Sequence, residues 1–197
     1  MIGDRRLANL RQLIQKVLES GVLGDFVETG AWRGGACIFM RAILKANGVT
    51  DRTIWVADSF QGLPPPNAEL YPADEGLTFH VHKELSVTVE QVKDNFKKYE
   101  LLDDKVKFLP GWFKDTLPNA PISKLAILRL DGDMFESTMD ALKALYHKLS
   151  VGGYVIVDDY GDVAACRAAV LEFRAEHKID APIVDIDGTG VFWQKSN

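Results

Sequence analysis

Four aspartates close two apolar runs of the sequence. The run LAILRLD (125–131) ends on Asp131, with Asp133 two residues later, and the run YVIVDD (154–159) ends on Asp158 and Asp159. If the two runs are neighbouring strands, all four carboxylates emerge at one edge of a sheet and repel one another. Raised pKa values relieve such crowding, and so does a hard cation with oxygen ligands, for which Mg²⁺ is the usual choice. Each aspartate alone reads as a helix cap or a turn residue; together they point to hydroxyl chemistry. A hydroxyl beside a cation sheds its proton far more readily, as water does at zinc, where its pKa falls from about 15.7 to about 7.

A second group of residues follows the run DFVETG (25–30). Glu28-Thr29-Gly30-Ala31-Trp32-Arg33-Gly34-Gly35 reads as a strand, a tight turn and the start of a helix. Gly30 and Gly35 have the outer spacing of the dinucleotide fingerprint GxGxxG, but Trp32 occupies the middle position, where a pyrophosphate needs close backbone approach. Glu28 would also face that pyrophosphate. Both features disfavour NAD and suit S-adenosylmethionine. Its ammonium can be held by a carboxylate, and its own carboxylate can be received by the free N–H groups of a helix start. The run TIWVAD (53–58) then ends in Asp58, where an acidic residue takes ribose hydroxyls. Without Glu28 and Asp58 the glycines would imply no more than a tight turn.

These groups need a scaffold that brings strand ends together. Short β-rich runs at 25–30, 53–58, 105–110, 125–131, 154–159, 181–186 and 190–195 alternate with helical stretches at 4–19, 35–46, 86–99, 137–148 and 161–177. Leu7, Leu10, Leu13, Ile14 and Val17 share one face of the first helix, and Ser137 or Thr138 is the expected cap of the fourth. Alternation of this kind predicts a mainly parallel α/β sheet with helices on both faces, whose ligands sit beyond the carboxyl ends of the strands. The last two runs meet across DGTG, so they form an antiparallel hairpin at one end of the sheet. The expected fold is a Rossmann-like class I methyltransferase, with a seven-stranded mainly parallel sheet and an antiparallel C-terminal strand. Residues 59–84 contain three successive prolines and no sustained period, which predicts a long lid-like loop.

Composition narrows the function classes. The 197 residues, 47% apolar and 26% charged, suit one globular domain over 1–197 with a sizeable core. A net charge of −5 argues against nucleic acid, whose phosphates demand clustered Lys and Arg. Cys37 and Cys166 have neither zinc nor disulfide spacing and read as reduced core thiols. No apolar run approaches the ~20 residues of a membrane helix, and the charged opening MIGDRRLANLRQ is no secretory signal; a cytoplasmic protein without a membrane partner is expected. His80 and His82 alternate in the long loop and read as exposed polar residues or as groups facing an acceptor. Trp55 and Trp193 read as core, Trp112 as core or as a stacking surface for a flat ligand.

The segments GDFVETGAWRGGACIFMRAIL, WVADSFQGLP, FLPGWFKDTLP, LRLDGDMFESTMDAL, LSVGGYVIVDDYG and IDGTGVFWQK closely resemble the macrocin O-methyltransferase family, over nearly all of the chain. Those enzymes methylate hydroxyls on deoxysugars of macrolide and aminocoumarin antibiotics. The resemblance implies that Asp131, Asp158 and Asp159 ligate Mg²⁺, with Asp133 as general base beside Asp131. It places Glu28, Thr29, Gly30, Ala31, Asp58, Ser59 and Asp131 around S-adenosylmethionine, and Gly111, Trp112 and Phe113 beside the adenine. The acceptor it implies is a small molecule with hydroxyl groups, most simply a sugar diol. A catechol- or phenol-type acceptor would use the same carboxylates. A non-catalytic S-adenosylmethionine-binding domain would not need the acidic cluster at all. Family members usually carry a further segment ahead of the helix that starts here after Met1-Ile2-Gly3, contributing to the lid and to subunit contacts. Without it a more open acceptor pocket is expected, and a homo-oligomer stays open. S-adenosylhomocysteine, and not NADH, should raise the melting temperature, with calorimetric affinity in the micromolar range; the reverse pattern would refute the cofactor reading.

Overall fold

Strands buried on both faces read as unbroken apolar runs, and β4 (Leu125–Leu130) is buried at every position. It lies at the centre of a seven-stranded sheet with the order β3-β2-β1-β4-β5-β7-β6, seen in a computed structural model that describes residues 2–196. Met1 of the expected lead-in and Asn197 lie outside the described residues. The other strands are β1 (Asp25–Thr29), β2 (Ile54–Asp58), β3 (Val106–Pro110), β5 (Leu149–Val157), β6 (Val184–Asp185) and β7 (Val191–Gln194). β1 to β5 run parallel, and β7 is antiparallel to both β5 and β6. The expected class I methyltransferase sheet is therefore present.

Helices cover both faces. α1 (Asp4–Glu19), α2 (Gly35–Ala46) and α3 (Val89–Lys98) pack over Phe26, Ile54, Val56, Ile127 and Ile156. On the opposite face α5 (Phe135–Leu145) and α6 (Ala164–Glu176) cover Val27, Leu128, Val155 and the fully buried Trp193. A short α4 (Phe113–Thr116) precedes β4. Trp55 is core as expected, its indole N–H donating to Asp25 at 2.8 Å. Both cysteines are buried and free. Among the described residues no helix is long and apolar enough to cross a membrane.

The order of strands reverses between β1 and β4, and an open α/β sheet has its crevice at such a point. Main-chain bonds carry the alignment past the strand ends: Asp131 N donates to Thr29 O, and Asp158 N to Leu130 O, both at 2.9 Å. Gly30, Asp131 and Asp158 therefore leave the sheet side by side.

Several expected boundaries differ. β5 begins at Leu149, ahead of the expected 154, because β4 and then β7 pair with it. The sixth strand shrinks from the expected 181–186 to Val184–Asp185, the stretch that pairs with β7 across DGTG. α3 starts three residues later than expected, at the capping box of Thr88 and Gln91. α5 begins at Phe135, so Ser137 and Thr138 lie inside it and neither caps it; its N-cap residue Met134 has no capping side chain. The lid-like segment has no long helix, but three 3-10 turns order it at Pro72–Asp74, Phe79–Val81 and Lys83–Leu85.

Candidate active site

The turn after β1 is shaped by contact with the end of β4. Gly30 has φ of 90°, and a Cβ there would lie 1.7 Å from the Asp131 carbonyl oxygen, so any side chain would force the two strand ends apart. Gly34, with φ of 80°, caps α2, and a Cβ on it would lie 2.7 Å from Val92 Cγ1. Gly35 has open space around it. The glycine that the turn needs beside Gly30 is therefore Gly34, and the fingerprint spacing counted from Gly35 does not describe the constraint. Trp32 (φ 45°) donates its main-chain N–H to Asp58 at 2.8 Å and its indole N–H to the Glu84 carbonyl at 2.9 Å. The Phe60 N–H donates to the other Asp58 oxygen at 2.7 Å. Burial holds Asp58 above the usual carboxylate range against these bonds.

Beneath the turn lies a residue that sequence reasoning passed over. Arg129, 1% exposed within β4, donates to Glu28, to Asp131 at 2.6 Å and to Asp158. Glu28 sits opposite it in the β1–β4 register and is itself buried, its second oxygen accepting from the Cys37 thiol at 2.9 Å. Burial pushes Glu28 up to about 7 despite Arg129. A cofactor ammonium would share this carboxylate with the guanidinium. The signal for Arg129 was present: a charge inside the apolar run LAILRLD must be paired when the strand is central.

Oxygens of Asp131, Asp158 and Asp159 all lie within 4.8 Å of one another. Burial first, then Asp131, Asp133 and Asp158, push Asp159 up to about 9. Asp131 is also raised, by burial and by Asp158. Three converging carboxylate oxygens suit a hard divalent cation, so the residues present fit Mg²⁺. Arg6 of α1 is the second residue missed by the sequence reading: it donates to Asp158 at 2.5 Å and to Asp187 at 2.9 Å. Asp133 has φ of 57°, and its carboxylate accepts no hydrogen bond from any described residue. Burial, then Asp131 and Asp158, push it up to about 7.

All of these groups open onto one cleft of about 960 Å³. Glu28, Gly30, Ala31, Asp58 and Ser59 line its end at the glycine turn, and Gly111, Trp112 and Phe113 line a neighbouring wall. Asp131, Asp133, Asp158 and Asp159 line its floor. Thr29 is the predicted residue that does not reach the wall: it is 1% exposed, and its hydroxyl turns toward the Arg129 carbonyl at 3.5 Å. His80 and His82 are exposed on the lid and do not line the cleft. Lys114, Glu136, Ser137 and Asp140 form a further polar wall that the sequence reading did not identify. Glu136 and Asp140 are one turn apart on α5, and burial followed by Glu136 pushes Asp140 up to about 6. The i, i+4 spacing of two acids on one helix was the available signal.

Fold and cleft define the class as an S-adenosylmethionine-dependent methyltransferase. Residues 1–195 match the Macrocin-O-methyltransferase (TylF) family. The chain is 55% identical over 195 residues to the 8-demethyl-8-(2,3-dimethoxy-alpha-L-rhamnosyl)-tetracenomycin-C 4'-O-methyltransferase of Streptomyces olivaceus, covering 98% of this chain and 74% of that protein. It is 55% identical over 197 residues to the demethyldecarbamoylnovobiocin O-methyltransferase of Streptomyces niveus, covering 100% of this chain and 75% of that protein. The solved structure of the O-methyltransferase NovP matches with a TM-score of 0.97 at 54% identity, over 100% of this chain and 81% of that one. The chain belongs to the macrocin O-methyltransferase family, and it is an S-adenosylmethionine-dependent O-methyltransferase.

The buried guanidinium can be tested directly. Arg129→Met leaves Glu28, Asp131 and Asp158 without their shared counter-charge, and removal of one partner from a buried ionic cluster costs about 3–5 kcal/mol. Glu28 ionises near 7 when folded and near 4.5 when unfolded, so its contribution to stability is fully present below about pH 4.5 and lost as pH rises through about 7. The variant raises that folded pKa further. Urea unfolding should show a larger loss of stability near pH 8 than near pH 5; an equal loss at both would contradict the pairing.

Proposed function

We propose that the chain transfers the methyl group of S-adenosylmethionine to a sugar hydroxyl on a natural product, at a site completed by Mg²⁺. The observation that carries this reading is the convergence of Asp131, Asp158 and Asp159 within 4.8 Å beside Asp133, whose carboxylate has no partner among the described residues, in the cleft that the glycine turn opens onto. The relatives support the acceptor class, since one is named for a rhamnosyl tetracenomycin and another for mycinamicin III. The further polar wall supports it too. Glu136, Ser137, Asp140 and Lys114 offer hydrogen-bonding groups suited to a polyhydroxylated ring, where a phenol would call for a narrow apolar slot.

In this reading Glu28, Gly30 and Ala31 hold the methionyl end of the cofactor, Asp58 and Ser59 its ribose, and Gly111, Trp112 and Phe113 its adenine, while the buried Thr29 only supports the turn from behind. Asp131, Asp158 and Asp159 would hold the cation, which would supply positive charge beside the acceptor oxygen. Asp133 takes the hydroxyl proton as the methyl carbon leaves sulfur for that oxygen. The Asp133 carboxylate lines the cleft and accepts no hydrogen bond from any described residue, so its oxygens are free to receive that proton. Arg129 orients Asp131 and Asp158 from below.

Methyl transfer to glycosides bearing vicinal diols, with and without EDTA, tests the cation. Turnover should vanish with EDTA and return with Mg²⁺. Asp159→Asn should lose nearly all turnover with S-adenosylhomocysteine affinity within a few-fold; this position is the cleanest because Asp159, unlike Asp131 and Asp158, is not held by Arg129. Undiminished activity with EDTA would sink the metal role. Asp133→Asn should lower kcat by about 10²–10⁴-fold with cofactor and metal binding kept. If that variant instead lost Mg²⁺ binding and turned over normally at saturating metal, Asp133 would be a ligand and not the base.

A further inference from the structure

Asp74 lies in the middle of the lid-like segment, and it is fully buried. A carboxylate at zero exposure in a loop needs a reason. Its two oxygens accept the main-chain N–H groups of Phe135 at 2.6 Å and of Glu136 at 3.0 Å. Those are the first two residues of α5, whose own N-cap residue, Met134, offers no capping side chain. The cap of α5 is thus supplied from 61 residues away in sequence. Neighbouring contacts reinforce the junction: the Tyr71 and Phe135 rings lie 6.0 Å apart, and the Pro72–Asp74 turn packs against both α5 and α6.

What α5 begins from is the loop that carries the chemistry. Met134 N–H donates to the Gly132 carbonyl at 2.6 Å, and Asp133 between them is held at φ of 57°, a left-handed conformation that few non-glycine residues adopt. Such a backbone persists where its surroundings hold it. The lid is fastened on the other side of the cleft as well, through the Trp32 indole on the Glu84 carbonyl. Ahead of Asp74 in the same segment, Leu63, Pro64, Pro65 and Asn67 line the cleft.

We propose that Asp74 is a positioning residue, the latch by which the lid closes onto α5 and holds the Gly132-Asp133 loop in its working shape. It touches neither cofactor nor acceptor and acts through main-chain N–H groups two and three residues beyond Asp133. A closed lid and a correctly placed Asp133 are thereby one event. The significance of Asp133 rests on the function proposed above, whereas the latch itself does not, and the two can fail separately.

Hydrogen exchange of the whole protein, read by mass spectrometry, tests the latch without any acceptor. Asp74→Ala should speed exchange by about tenfold or more in 131–140 as well as in 59–84, since the orphaned N–H groups open with the lid. With a rhamnoside acceptor, kcat should fall by about 10–100-fold, because small misplacements of a reacting group have effects of that size. The calorimetric affinity for S-adenosylhomocysteine should stay within a few-fold. Asp74→Asn keeps one acceptor oxygen and should recover part of both losses. If the alanine variant does not fold, Asp74→Asn and Asp74→Ser carry the same measurements, with intermediate effects expected. Faster exchange confined to 59–84 with 131–140 unchanged in the folded variants would overturn the latch, and so would a lowered melting temperature with kcat and KM of the wild type.

Discussion

A single guanidinium sits where the three central strands deliver their charges. Arg129 joins Glu28 of β1 to Asp131 and Asp158 at the ends of β4 and β5, and taking it out of water is tolerable because three carboxylates surround it. A planar fork of donors can face several acceptors on neighbouring strands at once, which the point charge of a lysine cannot. Five carboxylates (Glu28, Asp131, Asp133, Asp158 and Asp159) nevertheless share two guanidiniums, those of Arg129 and Arg6. Asp133 and Asp159, which neither arginine holds, are pushed up to about 7 and about 9 by burial first and then by the neighbouring aspartates, and burial takes Glu28 to about 7 even with Arg129 beside it. Pairing below thus makes the upper rim of the cluster receptive to positive charge and to protons.

The same strand ends carry the glycine turn, and the two are mechanically joined. No atom fits between Gly30 and the Asp131 carbonyl, so the turn after β1 cannot shift without moving the loop after β4; in the proposed function these serve the two reactants. Methyl transfer needs donor and acceptor within contact distance and in line, and rigid juxtaposition of that kind is where much of a barrier reduction originates. The sheet order makes the juxtaposition available: helices leave β1 and β4 on opposite faces, which opens the crevice at their carboxyl ends.

What the sequence made legible was whatever depends on local pattern. Apolar runs with period and length marked the strands, DGTG marked the antiparallel hairpin, and acids at the ends of LAILRLD and YVIVDD marked the edge where the cleft lies. Features made by tertiary pairing were not legible. β6 lost most of its expected length because a two-residue ladder to β7 is all the sheet offers it. The cap of α5 was sought in Ser137 and Thr138, next in sequence, when the capping oxygens come from Asp74 of the lid. Gly35 was favoured for its spacing, yet the positive φ falls on Gly34, a distinction that depends on where α2 begins. Arg129 lay in plain view in an apolar run; its partners could be named only once the register set Glu28 beside it.

Two elements far from β4 in sequence close on the same centre, and they do so through opposite charges. α1 brings Arg6, a cation, onto Asp158 and onto Asp187 of the hairpin turn. The lid brings Asp74, an anion, onto the start of α5, where the helix dipole favours negative charge. α1 thus reaches an acid of the cluster directly, and the lid reaches the helix that starts two residues after Asp133. Apolar packing is non-directional, whereas these hydrogen bonds fix direction on the side facing the cleft, and the rest of the lid surface stays exposed to solvent at Leu70 and Val81.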